Sequence, residues 1–326
     1  MPDAGPSGSG GARVALLRFR PPGPNGPVAL ERLPMNKEDV LAWCAVPVDR
    51  LDTHPGRRVP LRIVEDSGAM GRLMAQELVD AVVVAASAGR TLRAIIPCGP
   101  RSWYAPFAEL VNTRRVGLQG LEVFHMDECL DWQGRLLPRA HPFSFRGVME
   151  EVFYGPIDPD LAVPEANRHW LEPATMTEVE ALIDAEPVDL VLGGWGQDGH
   201  VAYNQARRNP YSPPSIEEVR ASGVRIQENN TDTVIALGQR DLGGAFPLVP
   251  PMSVTLGMKQ ILAAKRIRLF SDTGAWKQTA LRVGLFSEED PHYPITLLQR
   301  HPDALLTATR DTADHPISRH PEWRFW

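Results

Sequence analysis

The chain has 326 residues, 43% of them hydrophobic and 23% charged, with a formal net charge of -6. That is a globular profile with material for a sizeable core, and it argues against a nucleic-acid partner, because no broad basic field attracts a phosphate backbone. No apolar run reaches the length of a membrane span, and three dispersed cysteines (Cys44, Cys98, Cys129) without a CxxC pair fit a reducing compartment, so a cytoplasmic protein with no membrane partner is expected.

Residues 1–30 are expected to be a disordered tail: 1–12 (MPDAGPSGSGGA) and 21–27 (PPGPNGP) are Gly-, Pro- and Ser-rich and offer little to bury. A single domain is assigned to 31–310, its ordered part beginning near Arg62 with the short strand RIVED. Residues 68–88 carry Met70, Leu73, Met74, Leu78, Val82 and Val83 at spacings of three and four, the pattern of an amphipathic helix. TLRAIIPCG is an apolar strand ending in a Gly/Pro turn. SWYAPFAELVNT is helix-like, with Pro106 in its first turn, and LEVFHMDE is a strand with an acidic pair at its carboxyl end. TMTEVEALIDAE has a Thr cap and a Glu three residues on, and leads into the buried strand of VDLVLGGWGQDGH. MKQILAAKR (helix), RIRLFSD (strand), GAWKQTALRVGLF (helix) and DALLTATR (strand) follow, and 311–326 is assigned as a C-terminal tail, His315 and His320 included.

This alternation predicts an α/β fold: a Rossmann-like, doubly wound, mostly parallel sheet with helices on both faces. Ligands of such sheets sit outside the carboxyl ends of the strands, which brings PCGPRS, MDE and GGWGQDGH to one rim.

Three turns on that rim carry candidate chemistry. In Gly193-Gly194-Trp195-Gly196-Gln197-Asp198-Gly199-His200 the glycines let a ligand approach the backbone, and Asp198 is placed to orient the His200 imidazole for acid–base work. A surface turn with a solvated histidine fits the same residues. Asp127 and Glu128 end a strand where apolar neighbours raise proton affinity, although a helix cap or a salt-bridged pair would look alike. In Pro97-Cys98-Gly99-Pro100-Arg101-Ser102, helix N-terminal amides with Arg101 and Ser102 suit a phosphate, as does Lys277 further on. The GxxxxGK[ST] pattern of a nucleotide loop is missing, and a plain structural turn is as good a reading. No metal-ligand spacing stands out.

In this order and spacing, HMDE with HPFSFRGVMEEVF, LVLGGWGQDGHVAYNQ, VPPMSVTLGM, TGAWKQTALR and LLQRHPDAL resemble the glucosamine-6-phosphate deaminase/isomerase family, from about Arg62 to about Arg310. Related sugar-phosphate lactonases share its fold, but the HPxSF pattern favours the deaminase branch. The resemblance implies a deaminating aldose–ketose isomerase without metal or organic cofactor, which converts a hexosamine 6-phosphate to fructose 6-phosphate and ammonia. It makes His200 the ring-opening residue with Asp198 behind it, and Asp127 the base that moves a proton between C2 and C1. It gives substrate contacts to Gly99, Arg101, Ser102, Glu128, Gly194 and Lys277. Two positions depart from the family. Gln205 stands where a supporting Glu is usual; an amide still hydrogen-bonds but adds no charge. Pro100 removes an amide from the phosphate turn, for which Arg101 offers a guanidinium. An isomerase or lactonase-type hydrolase on another sugar derivative, and a catalytically silent sugar-phosphate sensor, stay open. So does a homo-oligomer, for which PEWRFW offers an interface or else packs on its own subunit.

Overall fold

The computed structural model describes residues 36–207 and 212–325; the expected tail of residues 1–30 lies outside them. The first element precedes the start expected at Arg62. Helix α1 (Lys37–Cys44), with Asn36 accepting from the Asp39 amide, packs on a helix close to the end of the chain. Strand β1 (Leu61–Val64) leads to α2 (Ser67–Ser87), whose N-cap Asp66 accepts from Ala69 N at 2.7 Å. Met70, Met74, Leu78 and Val82 of α2 are buried at the spacing of one helix face, while Val83, counted in the expected stripe, is 37% exposed.

Next come β2 (Leu92–Ile96), α3 (Tyr104–Arg114) with Pro106 in its first turn, and β3 (Leu121–His125). The chain then leaves the sheet. Met126 is buried, and its amide donates to Ile96 O at 3.1 Å. Asp127 therefore opens a new strand, β4 (Asp127–Leu130), instead of ending β3 as expected. Helix α4 (Phe145–Val148), β5 (Arg168–His169) and α5 (Met176–Ala185) follow. The capping box expected for α5 does not form: Thr175 Oγ1 donates instead to Trp170 O at 2.6 Å. The rest of the chain supplies β6 (Leu190–Gly193), α6 (Ile216–Arg220), β7 (Arg225–Glu228), α7 (Thr231–Asp241), β8 (Met252–Thr255), α8 (Met258–Leu262), β9 (Arg266–Ser271), α9 (Gln278–Phe286) and β10 (Ala304–Thr309). Two short helices, α10 (Arg310–Ala313) and α11 (Pro316–Arg319), occupy residues expected as tail. His315 is buried there, its Nδ1 capping Ile317 N at 3.1 Å and its Nε2 3.2 Å from Thr279 Oγ1 of α9.

Seven strands pair in the order β1-β10-β9-β6-β2-β3-β5, every pair parallel. The period of two divides their side chains between two cores. Ala94, Ile96, Leu190 and Leu192 pack with α2 and α3, whereas Ile95, Val191, Ile267 and Leu269 face α5, α8 and α9. The sheet is thus doubly wound, as its near-continuous apolar strands require. A small antiparallel sheet, β4-β8-β7, stands beside it. Among the described residues no helix is long and apolar enough to cross a membrane.

Candidate active site

After β2 the chain adds β3 and β5 on one side, then returns to place β6 on the other. Such a reversal opens a crevice at the carboxyl ends of the strands, and the three candidate turns leave β2, β3 and β6 there.

The turn after β2 is fixed from below. Gly71 of α2 lies so close that a Cβ on it would sit 2.1 Å from Ser102 O, so only glycine lets the turn settle on α2. Gly99 has a φ of +123°, and the Gly99–Pro100 peptide is cis. Arg101 is exposed. The Ser102 hydroxyl donates to Asp272 Oδ2 at 2.9 Å, at the end of β9.

The turn after β6 is a tight loop. Gly194 follows the strand with its α-carbon close to Phe270 O of β9. Trp195 bridges Val201, Gly196 N–H donates to His200 O at 2.8 Å, and Gly199 N–H to Gly196 O at 3.0 Å, with Gly199 at a φ of +75°. This folds Asp198 onto His200, and Asp198 Oδ1 lies 2.6 Å from His200 Nδ1. The contact assigns the proton to Nδ1 and leaves Nε2 to act on a ligand. Burial works against the Asp198 charge, but His200 and its hydrogen bonds outweigh it and hold the carboxyl at about 2. The imidazole stacks on Tyr203 at 5.8 Å and 12°.

Asp127 pairs with Thr255 of β8, whose Oγ1 accepts from Tyr203 N at 3.0 Å, so two short links join Asp127 to the ring that backs His200. Burial, then the Glu128 charge, push the Asp127 carboxyl up to about 8. Cys98 shares its crevice, with burial pushing the thiol up to about 12. Glu128 is held elsewhere. Its carboxylate is buried and accepts from Phe145 N and Arg146 N at 2.7 Å each and from Cys129 N at 2.9 Å. Those bonds anchor the HPFSF segment at the start of α4 and leave Glu128 a framework group. His125 of the same motif stacks on Trp170 at 3.7 Å with its Nε2 3.0 Å from Tyr154 Oη. Burial, with Arg146 and Arg168 nearby, holds it well below the usual imidazole range.

Gln205 does not reach His200. Its Oε1 accepts from Asn230 N at 2.6 Å and its Nε2 donates to Thr233 Oγ1, both at the start of α7. Lys277 sits before α9; burial and the neighbouring Arg240 pull its ammonium down to about 8, against Asp272 and Asp198. Arg240, in the last turn of α7, joins this cationic corner while pairing with Asp241 at 2.8 Å.

Reading the sequence missed Tyr203, Asp272 and Arg240. Tyr203 had a signal, three residues after His200 beyond the turn; Arg240 and Asp272 had none, since α7 and β9 approach the rim only through the fold. Among the described residues no group of three His, Cys, Asp or Glu side chains is arranged to hold a metal ion.

No protein-family model matches the chain. It is 33% identical over 217 residues to a glucosamine-6-phosphate deaminase of Parabacteroides distasonis, covering 65% of this chain and 74% of that one. To the Caenorhabditis elegans enzyme of the same name it is 28% identical over 260 residues, 77% and 90% of the two chains. Among solved structures, a monomeric glucosamine-6-phosphate deaminase superposes with a TM-score of 0.65 at 20% identity, over 78% of this chain and 98% of that one. The 6-phosphogluconolactonase of Thermotoga maritima follows with a TM-score of 0.53 at 17% identity, over 76% and 98%; both likenesses are of fold.

Proposed function

The chain belongs to the glucosamine-6-phosphate deaminase family of enzymes, and from that membership we propose that it is a deaminating aldose–ketose isomerase converting glucosamine 6-phosphate to fructose 6-phosphate and ammonia. The observation that carries this reading is the pairing of two proton-transfer groups on one rim. One is a histidine whose Nδ1 is held by a buried carboxylate at 2.6 Å. The other is a separate carboxylate, Asp127, whose proton affinity is raised to about 8.

The proposed chemistry follows from those affinities. His200 Nε2 takes the proton from the C1 hydroxyl and returns one to the ring oxygen, opening the pyranose. The ionised Asp198 stabilises the imidazolium that forms in between. Asp127 then removes the proton from C2 as the C1 carbonyl oxygen gains one from solvent, giving an enolamine, and returns its proton to C1 while the nitrogen lone pair forms the C2 iminium. A raised carboxyl suits this step, because a base of ordinary acidity holds a carbon-derived proton poorly. Water adds to C2, ammonia leaves, and the ketose phosphate remains. Lys277 and Arg240 supply the charge for the 6-phosphate, with Gly99, Arg101 and Ser102 at its other side and Gly194 giving backbone access. A phosphorylated substrate suits a cytoplasmic enzyme. We assign the catalytic domain to residues 31–310, extended by α10 and α11, which pack on it.

The test is to incubate the protein with glucosamine 6-phosphate and measure ammonia and fructose 6-phosphate together. Equal yields, abolished by Asp127→Asn, are expected. Sugar conversion without ammonia would give the site to another isomerase, and no turnover by the folded protein would sink the reading.

A further inference from the structure

Gln205 lies in the segment that carries His200, yet among the described residues both hydrogen bonds of its side chain go to the start of α7. Asn230 N–H donates to its Oε1 at 2.6 Å, its Nε2 donates to the buried Thr233 Oγ1, and beside it Asn230 Nδ2 donates to Ala206 O at 3.1 Å. These bonds close the first turn of α7, for which Asn230 provides no side-chain cap. Among the described residues no hydrogen bond joins Gln205 to the imidazole, whose Nδ1 is held by Asp198.

The far end of the same helix matters to the ligand. Arg240 stands in its last turn beside Lys277, Asp272 and Tyr203. Between the two ends Leu237 packs against the small cluster of Cys129, Phe143 and Tyr203, which Leu242 joins just past the helix. Helix α7 thus lies over the site, pinned at its start by Gln205 and carrying a cation at its end. It has 11 residues, a rigid rod about 16 Å long at 1.5 Å per residue. A tilt of about 10° at the pinned end would swing the Arg240 backbone by about 3 Å, enough to lose a hydrogen-bonded contact with a phosphate oxygen.

We propose that Gln205 is a positioning residue for the anion-binding corner: by latching the first turn of α7 to the His200 loop, it holds Arg240 where it closes with Lys277 on the substrate's phosphate. The proposal rests on the deaminase reading for its ligand, but on the hydrogen bonds of Gln205 for its residue. A glutamine suits the place because it accepts from an N–H and donates to a hydroxyl at once. A glutamate would keep both bonds with the Thr233 hydroxyl turned to donate.

The experiment compares Gln205→Leu, Thr233→Val, the double variant and Gln205→Glu. It uses steady-state kinetics on glucosamine 6-phosphate and calorimetric binding of inorganic phosphate. The expected result is a rise of about tenfold in KM and in the phosphate Kd for each single loss, the scale of one or two hydrogen bonds. The kcat should stay within about threefold and keep its pH profile. The double variant should be no worse than Gln205→Leu alone, as for two halves of one contact, and Gln205→Glu should restore phosphate binding. A fall in kcat at constant KM, or a displaced pH limb, would make Gln205 a partner of His200 and overturn the latch. A silent Thr233→Val, or additive losses in the double variant, would overturn it as well. Wild-type turnover tests the deaminase reading by itself, and phosphate binding needs no turnover, so the two failures are distinguishable.

Discussion

Gly196 is the surface on which the His200 imidazole lies: a Cβ at position 196 would come within 2.1 Å of His200 Cε1. The two residues also share a backbone hydrogen bond, Gly196 N–H to His200 O at 2.8 Å. The glycine therefore sets both where the loop turns and where the ring rests.

Gly196→Ala must displace the ring from Asp198 Oδ1, with little change elsewhere in the fold. Misplacing a catalytic group by about 1 Å costs about a hundredfold in rate. We expect a loss of that order in kcat, with a Tm within a few degrees of wild type. Kinetics alongside thermal unfolding check this, and an active Gly196→Ala enzyme would remove His200 from the ring-opening role.

The pH profile should be a narrow bell. Asp127 must be ionised to take a proton and is raised to about 8, so kcat/KM climbs as pH rises toward that value. Lys277 must be charged to hold a phosphate and is lowered to about 8, so kcat/KM falls beyond it. Lys277→Arg, which keeps its charge, should erase the alkaline limb and leave the acidic one in place.

Stability should carry the Asp127 signature too. Its folded affinity lies above the value of about 3.9 in an unfolded chain. The protonated carboxyl thus contributes stability at low pH that is lost as pH rises through about 8. Asp127→Asn cannot ionise, so its Tm should exceed that of wild type at pH 9 and the difference should shrink toward pH 6. Equal Tm values at pH 9 would show that Asp127 is not raised.

Gly71→Ala tests the seat of the phosphate turn. The added methyl meets Ser102 O at 2.1 Å, and backbone cannot yield as a side-chain tip can. Overpacking of this kind costs about 1–3 kcal/mol. The variant should unfold earlier and show a raised KM, because Ser102 and its bond to Asp272 move with the turn. A lowered Tm with an unchanged KM would place the turn outside the substrate site.

Arg282 of α9 is fully buried; among the described residues its Nη2 donates to Val46 O at 3.1 Å, and Nε and Nη1 have no hydrogen-bond partner. Burial pulls its guanidinium down to about 10. A charge held this way contributes little, so Arg282→Met should leave Tm unchanged or raise it. A marked fall in Tm would show that the guanidinium is satisfied after all.

The local order of this protein is written in its sequence. The period of Met70, Met74, Leu78 and Val82 marks α2, the apolar runs mark β2 and β6, and their alternation with helices implies the doubly wound sheet. Asp198 and His200 stand two residues apart, so a tight glycine turn suffices to join them and their contact was legible. Contacts between distant segments were not. Nothing near Glu128 announces that its carboxylate would be taken by the amides of Phe145 and Arg146. Nothing near Gln205 points to Asn230 and Thr233, and nothing near Arg240 points to Lys277. Spacing along a chain encodes only what one helix or strand brings together; which far segments meet depends on the order of strands in the sheet and on how the helices pack over it. Local pattern thus carries the strands and helices of the doubly wound sheet and the Asp198–His200 contact, while long-range packing decides the small sheet β4-β8-β7, the seats of α1, α10 and α11, and which polar groups are taken by protein partners.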